Sequence, residues 1–280
     1  MKTIRDIKAL RDVIGGWQQD GEDVALVPTM GSLHQGHMSL VKLARDCADR
    51  VVVSVYVNPT QFGEGEDYDQ YPRALENDRR RLSRGNVDIL FVPSSDEIYP
   101  FGQEQMTRVS VPGLSRILCG DDRPDHFDGV TSVVSRLFNI VQPQVAVFGQ
   151  KDFQQLVIIR RMAADLHVPL RIVAAPTHRD KDGLALSSRN RYLTPAERET
   201  APDLYRIIGE CRDRLLDGDR DFERLESDGR SALAAAGFRP QYFEIRDSRD
   251  LSPPSPDGDD FVVLAAAWLG GARLIDNAVI

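Results

Sequence analysis

Apolar residues near the start of the chain recur at Ile4, Ile7, Leu10, Ile14 and Trp17. That is the spacing of one helix face, and it predicts an amphipathic helix over 4–17. A short apolar run at 24–30, Val-Ala-Leu-Val-Pro-Thr-Met, is bounded by Pro28 and Gly31 and reads as a buried strand ending in a loop. Residues 37–49 return to helical spacing through Met38, Leu40, Val41, Leu43 and Ala44. The run 51–57 is almost wholly β-branched, which suits a central parallel strand buried on both faces. Further strands are expected at 88–92, 145–148 and 170–174, with helices at 73–84, 130–141 and 152–166. Alternating strands and helices over the first ~175 residues imply a Rossmann-like, doubly wound parallel α/β sheet.

Beyond 177 the texture changes. Helices are expected at 195–216 and 220–236, followed by strands at 241–246, 261–267 and 273–276. That order predicts a smaller α+β domain. The segment 247–260, acidic and carrying Pro253, Pro254 and Pro256, reads as an exposed loop. The expected domains are therefore 1–177 and 178–280.

A chain of 280 residues with 41% apolar and 28% charged positions is an ordinary globule with enough length for a sizeable core. Its net charge of −8 argues against a basic, nucleic-acid-binding field. The longest apolar stretches fall far short of the ~20 residues that span a bilayer. Met1 to Ile7 carries charges where a signal peptide would need its apolar core. Cys47, Cys119 and Cys211 are odd in number and far apart, so neither a disulfide framework nor a paired-thiol metal site is expected. These features point to a cytoplasmic protein.

Candidate chemistry concentrates in four segments. In the first, Pro28 to Met38, a strand hands over to a helix at the place where open α/β sheets bind ligands. Gly31 and Gly36 permit close backbone approach, and His34 and His37 are three apart on a starting helix. Helix N-terminal amides favour phosphate. The same histidines could instead bind zinc or merely cap and pack. The segment holds neither a P-loop nor a dinucleotide fingerprint.

The second segment, 145–156, ends a strand at Gly149 and opens a helix through Gln150, Lys151 and Asp152. Lys151 suits a phosphate or carboxylate; Asp152 could be only a cap, and Gln154 and Gln155 only surface. The third, 182–193, offers Ser187, Ser188 and Arg189, neutral donors beside a charged fork, or simply an N-cap with a surface arginine. In the fourth, 57–62, Asn58 and Gln61 could orient a polar ligand or close a turn.

In this order the four segments resemble the pantothenate synthetases, the pantoate–β-alanine ligase family. The likeness runs from Val24 through Val57-Asn-Pro-x-Gln-Phe, Tyr71-Pro-Arg, His126-Phe-x-Gly-Val, Phe148-Gly-x-Lys-Asp and Leu186-Ser-Ser-Arg-Asn to Arg273-Leu-Ile-Asp-Asn. It implies ATP-dependent joining of pantoate to β-alanine through a pantoyl adenylate, with AMP and pyrophosphate released. It assigns ATP contacts to Met30, Gly31, Ser32, Leu33, His34, Gln35, Gly36, His37, Gly149, Gln150, Lys151, Asp152, His178, Leu186, Ser187, Ser188 and Arg189. His37 takes the place of the proton donor, backed by His34 and Lys151. Gln61 and Gln155 fall at the pantoate site, and Gln61 also at that of β-alanine.

Magnesium is expected to accompany ATP with no dedicated protein metal site. In the segment after Tyr71-Pro-Arg, Asn77 leaves Asp78 as the acid nearest such a contact. The resemblance further implies a homodimer, small-molecule substrates only, and a C-terminal domain acting as a lid. A nucleotidyltransferase acting on another small acceptor, or a non-catalytic nucleotide- or zinc-binding protein, would share parts of this pattern.

Overall fold

The chain is described by a computed structural model covering residues 1–63 and 65–280. It opens with a short strand, β1 (Lys2–Ile4), followed by α1 (Ile7–Gln19). Ile4, expected in the helix, instead pairs with Phe91, and the helix starts after Asp6, whose side chain accepts from the Ala9 amide. The N-cap residue thus decides where helical periodicity takes over.

Next come β2 (Val24–Thr29), α2 (Gln35–Cys47), β3 (Arg50–Val55), α3 (Leu75–Arg84), β4 (Ile89–Phe91), and two single-turn helices, α4 (Ser95–Ile98) and α5 (Cys119–Asp122). They are followed by α6 (His126–Val141), β5 (Val145–Gly149), α7 (Phe153–Asp165) and β6 (Arg171–Ala175). All six strands run parallel in the order β1-β4-β3-β2-β5-β6. After β2 the chain builds outward through β3 and β4, then returns to the other side of β2 to lay down β5 and β6. The order reverses between β2 and β5, so the loops at the carboxyl ends of these two neighbours flank the switch point where such sheets bind ligands.

The remainder comprises α8 (Pro195–Thr200), α9 (Asp203–Leu216), α10 (Phe222–Ala235) and three antiparallel strands, β7 (Arg239–Asp247), β8 (Phe261–Leu269) and β9 (Ala272–Val279), in that order across the sheet. One long helix was expected over 195–216. The observed break falls at Ala201-Pro202, because proline has no amide hydrogen with which to continue the helical ladder.

The chain divides into two compact units. One is Met1–Gln150 with Ile158–Pro176; the other is Lys151–Val157 with Thr177–Ile280. Each has its own apolar core. The first packs Val27, Val41, Val53, Leu82, Leu90 and Val147. The second packs Leu204, Ile208, Leu233, Phe243, Val263 and Leu274. Within the second, α10 lies so close to the sheet that any side chain at Gly229 would overlap the Phe243 ring. Among the described residues no helix is long and apolar enough to cross a membrane.

Candidate active site

In the first unit the site is built on the turn between β2 and α2. Thr29, the last residue of β2, donates its hydroxyl to the Ser54 carbonyl on β3 (2.8 Å) and accepts from the Gly31 amide (3.2 Å). Gly31 and Ser32 follow with φ of +82° and +51°. Two successive left-handed residues, one of them a serine, need outside support.

Asp78 on α3 supplies that support. Its Oδ2 accepts from the Ser32 amide (2.9 Å) and its Oδ1 from the Leu33 amide (2.8 Å), with the residue only 1% exposed. A Cβ at Gly31 would stand 3.0 Å from Val55 and 3.1 Å from the Asp78 carboxylate, so a side chain there would be crowded as well as strained in φ. Both oxygens of Asp78 thus accept from backbone amides, a role not expected of this acid. Among the described residues no cluster of three or more His, Cys, Asp or Glu side chains could hold a metal ion.

The turn delivers His34 as the N-cap of α2. Its amide donates to Nδ1 of His37, one helical turn on (3.3 Å), and the two imidazoles lie against each other, tilted by 44°, with centroids 4.1 Å apart. An Nδ1 that accepts leaves the proton of the neutral ring on Nε2, so the backbone sets the His37 tautomer. Gln35 and Gly36 form the first turn of α2, where the Gly36 carbonyl accepts from the Ser39 hydroxyl (2.7 Å).

Gln61 is placed beside this turn. It closes a short 3-10 turn at 59–61, and its amide donates to Met30 Sδ (2.9 Å). Its Oε1 accepts from Asn58 Nδ2 (3.2 Å). Asn58 is 1% exposed and fully engaged: Nδ2 also donates to the Gly129 carbonyl, while Oδ1 accepts from Tyr99 OH (2.8 Å) and the Thr60 hydroxyl (3.1 Å). Asn58 thereby fixes the orientation of the Gln61 amide, with its oxygen inward and its nitrogen toward Met30.

The Gln61 carbonyl is held too, by His126 Nδ1 (2.7 Å). The far nitrogen of that ring lies 3.0 Å from Arg123, which pairs through two nitrogens with Glu66 (2.7 and 2.6 Å). Gly149 ends β5 at the neighbouring carboxyl end, and Gln150 opens the next turn.

In the second unit Lys151 and Asp152 belong to a 3-10 turn, with Lys151 Nζ 3.9 Å from Asp152 Oδ1. The lysine side chain is mostly buried, and Asp152 is exposed. Of the glutamines weighed as surface residues, Gln154 is buried and Gln155 half-buried.

His178 is exposed, and its carbonyl accepts from the Leu186 amide (2.9 Å), closing a hairpin bridged at Arg179 and Ala185. Ser187 accepts from the Arg189 amide (3.2 Å) and caps a 3-10 turn that carries Ser188 and Arg189. The N-cap alternative for this serine is therefore realised, alongside a half-buried Arg189.

A family model described as pantoate-beta-alanine ligase matches residues 2–279. The chain belongs to this family. It is 53% identical to a pantothenate synthetase of Nitrosococcus oceani over 277 residues, covering 99% of this chain and 97% of that protein. Among solved structures, the pantothenate synthetase of Thermus thermophilus superposes with a TM-score of 0.92 at 46% identity, covering 99% of both chains. A pantoate-β-alanine ligase of Francisella tularensis, solved with β-γ ATP and β-alanine, superposes with a TM-score of 0.81 at 33% identity, covering all of this chain and 97% of that one.

Three features of the site were not expected from the chain: the clamp by Asp78, the Glu66–Arg123–His126 relay behind Gln61, and the burial of Gln154. Each clamp or relay joins residues 45–65 positions apart. The one sequence signal pointing to the relay was the His126-Phe-x-Gly-Val motif.

Proposed function

We propose that this chain condenses pantoate with β-alanine at the expense of ATP, releasing AMP and pyrophosphate through a pantoyl adenylate. The observation that carries the reading is the clamped turn at Gly31–His34. It brings the N-terminus of a thirteen-residue helix and two histidines to the carboxyl end of β2. The partial positive charge of a helix start is what a triphosphate needs. Met30, Gly31, Ser32, Leu33, His34, Gln35, Gly36 and His37 form this part of the ATP site, with Gly149 and Gln150 from the end of β5.

His37, holding its proton on Nε2, donates to the phosphate chain as pyrophosphate departs, and His34 supports it. Stabilising developing charge is the larger part of this role, since phosphoryl chemistry depends on positioning and electrostatics. Lys151 neutralises phosphate charge, with Asp152, His178, Leu186, Ser187, Ser188 and Arg189 as further ATP contacts.

The carboxylate of pantoate is an acceptor, and the Gln61 amide presents its nitrogen because Asn58 engages its oxygen. A neutral donor orients that carboxylate without the ion pair that would blunt its attack on the α-phosphorus. Gln155 supplies a second amide for pantoate, and Gln61 also serves β-alanine. Magnesium would accompany the nucleotide and neutralise phosphate charge, with Asp78 the acid nearest the turn. We further propose a homodimer working in the cytoplasm. The family resemblance supports the dimer, and three separate thiols suit a reducing compartment.

Oxygen tracing tests the mechanism. With pantoate labelled by ¹⁸O in its carboxylate, one label should appear in AMP, because the acyl–oxygen bond breaks when β-alanine attacks. Pantothenate formed alongside unlabelled AMP would contradict the adenylate, and absence of pantothenate would contradict the whole reading.

A further inference from the structure

We infer that Asp276 and Asn277, adjacent on β9, are positioning residues that hold the Lys151 main chain and the His178–Leu186 hairpin in one frame. The inference rests on the reading of those segments as ATP contacts.

A strand normally sends neighbouring side chains to opposite faces. Here both neighbours are polar and both are buried, at 3% and 4% exposure. Each reaches a different segment. The Asp276 carboxylate accepts from both terminal nitrogens of Arg179 (2.6 and 2.8 Å) and from the Asn277 amide (2.8 Å). Asn277 Nδ2 donates to the Lys151 carbonyl (3.0 Å).

Arg179 in turn locks the hairpin. It donates to the Gly183 carbonyl (3.0 Å), its guanidinium lies 3.3 Å from the centre of the Tyr205 ring, and it bridges to Ala185. One residue further out on each side, the Leu186 amide binds the His178 carbonyl. A buried carboxylate bonded this completely to arginine and backbone has the wrong charge and no reason to meet a triphosphate. What it does is fix the root from which His178 and the Ser187–Arg189 turn project. Its neighbour fixes the root of Lys151, and the segment Lys151–Val157 packs with this unit. One two-residue junction thus sets the spacing between segments that must meet one nucleotide, where errors of about an ångström are costly. The Arg273-Leu-Ile-Asp-Asn motif gains a physical role by this account.

The test uses the full chain and pantoate-dependent exchange of labelled pyrophosphate into ATP. Asn277→Ala should raise the KM for ATP about tenfold, the effect of one lost hydrogen bond on a binding group. The KM for pantoate should stay within twofold and the rate at saturating ATP within threefold. Arg179→Lys, which keeps the buried charge paired but loses the two-pronged geometry, should shift the ATP KM in the same direction. Leu233→Ala, a cavity in the core of the same unit, should lower the Tm at least as much while leaving the ATP KM within twofold. An unchanged ATP KM in Asn277→Ala overturns the proposal alone, as does an equal rise in Leu233→Ala. A wild-type chain without exchange, and without pantothenate formation, overturns the ligase reading and this role together.

Discussion

Asp78 commits its negative charge to two successive backbone amides, and that choice shapes the residues around it. The Leu33 amide is buried and the Ser32 amide part-buried; without an acceptor the buried one would cost about 1–3 kcal/mol. Asp78→Asn keeps one acceptor and turns an amide group toward the other N–H. It should raise the KM for ATP about tenfold and leave the magnesium concentration for half-maximal rate unchanged. An unaltered ATP KM with a shifted magnesium requirement would instead make Asp78 a metal contact. His34, His37 and Gln61 could be picked out of the sequence because their local spacing carries chemistry. Asp78 stood out only as an acid near the magnesium; its clamp could not be read, because its partners lie 45 and 46 positions away and its burial on α3 is decided by packing.

Helix α6 serves the site through its backbone. Gly129 in its first turn lies against the Thr60 carbonyl, where any Cβ would overlap it, and its own carbonyl receives the Asn58 amide. Gly129→Ala should cost about 1–3 kcal/mol through overpacking, lowering the Tm by about 2–4 °C per kcal/mol. It should also raise the KM for pantoate by displacing Gln61. A variant with wild-type Tm and pantoate KM would show that this close approach is dispensable.

The relay behind the same turn is pH-sensitive. Burial pushes the Glu66 carboxyl up, but the hydrogen bonds and charge of Arg123 outweigh burial and hold it below its usual value. A depressed folded value means the stabilisation is complete above the unfolded value of about 4.3 and is lost as pH falls through the folded one. Tm should therefore fall more steeply with acid in the wild type than in Glu66→Gln; parallel profiles would remove this pair from the acid response. The helix start at His126, four residues earlier than hydrophobic spacing marks it, was illegible because the first turn is fixed by contacts to the 59–61 turn and not by periodicity.

The two-unit chain carries most of its architecture openly in its hydrophobic patterning. The β-branched run at 51–55 and the runs at 24–29 and 145–149 became adjacent central strands because each is largely apolar on both faces. The short edge strand β1 went unseen, since three residues cannot display a period. The allocation of Lys151–Val157 to the second unit was equally hidden, because its contacts, the Asn277 bond to the Lys151 carbonyl among them, come from far along the chain. What unites these pieces is the claim that the clamped turn, the oriented Gln61 and Lys151 activate a carboxylate with ATP. The most direct measurement is exchange of labelled pyrophosphate into ATP with magnesium present and β-alanine absent. The account predicts exchange only when pantoate is added, together with its loss in His37→Asn. Exchange that proceeds without pantoate, or that requires a different acceptor, would contradict it and point to another nucleotidyl transfer.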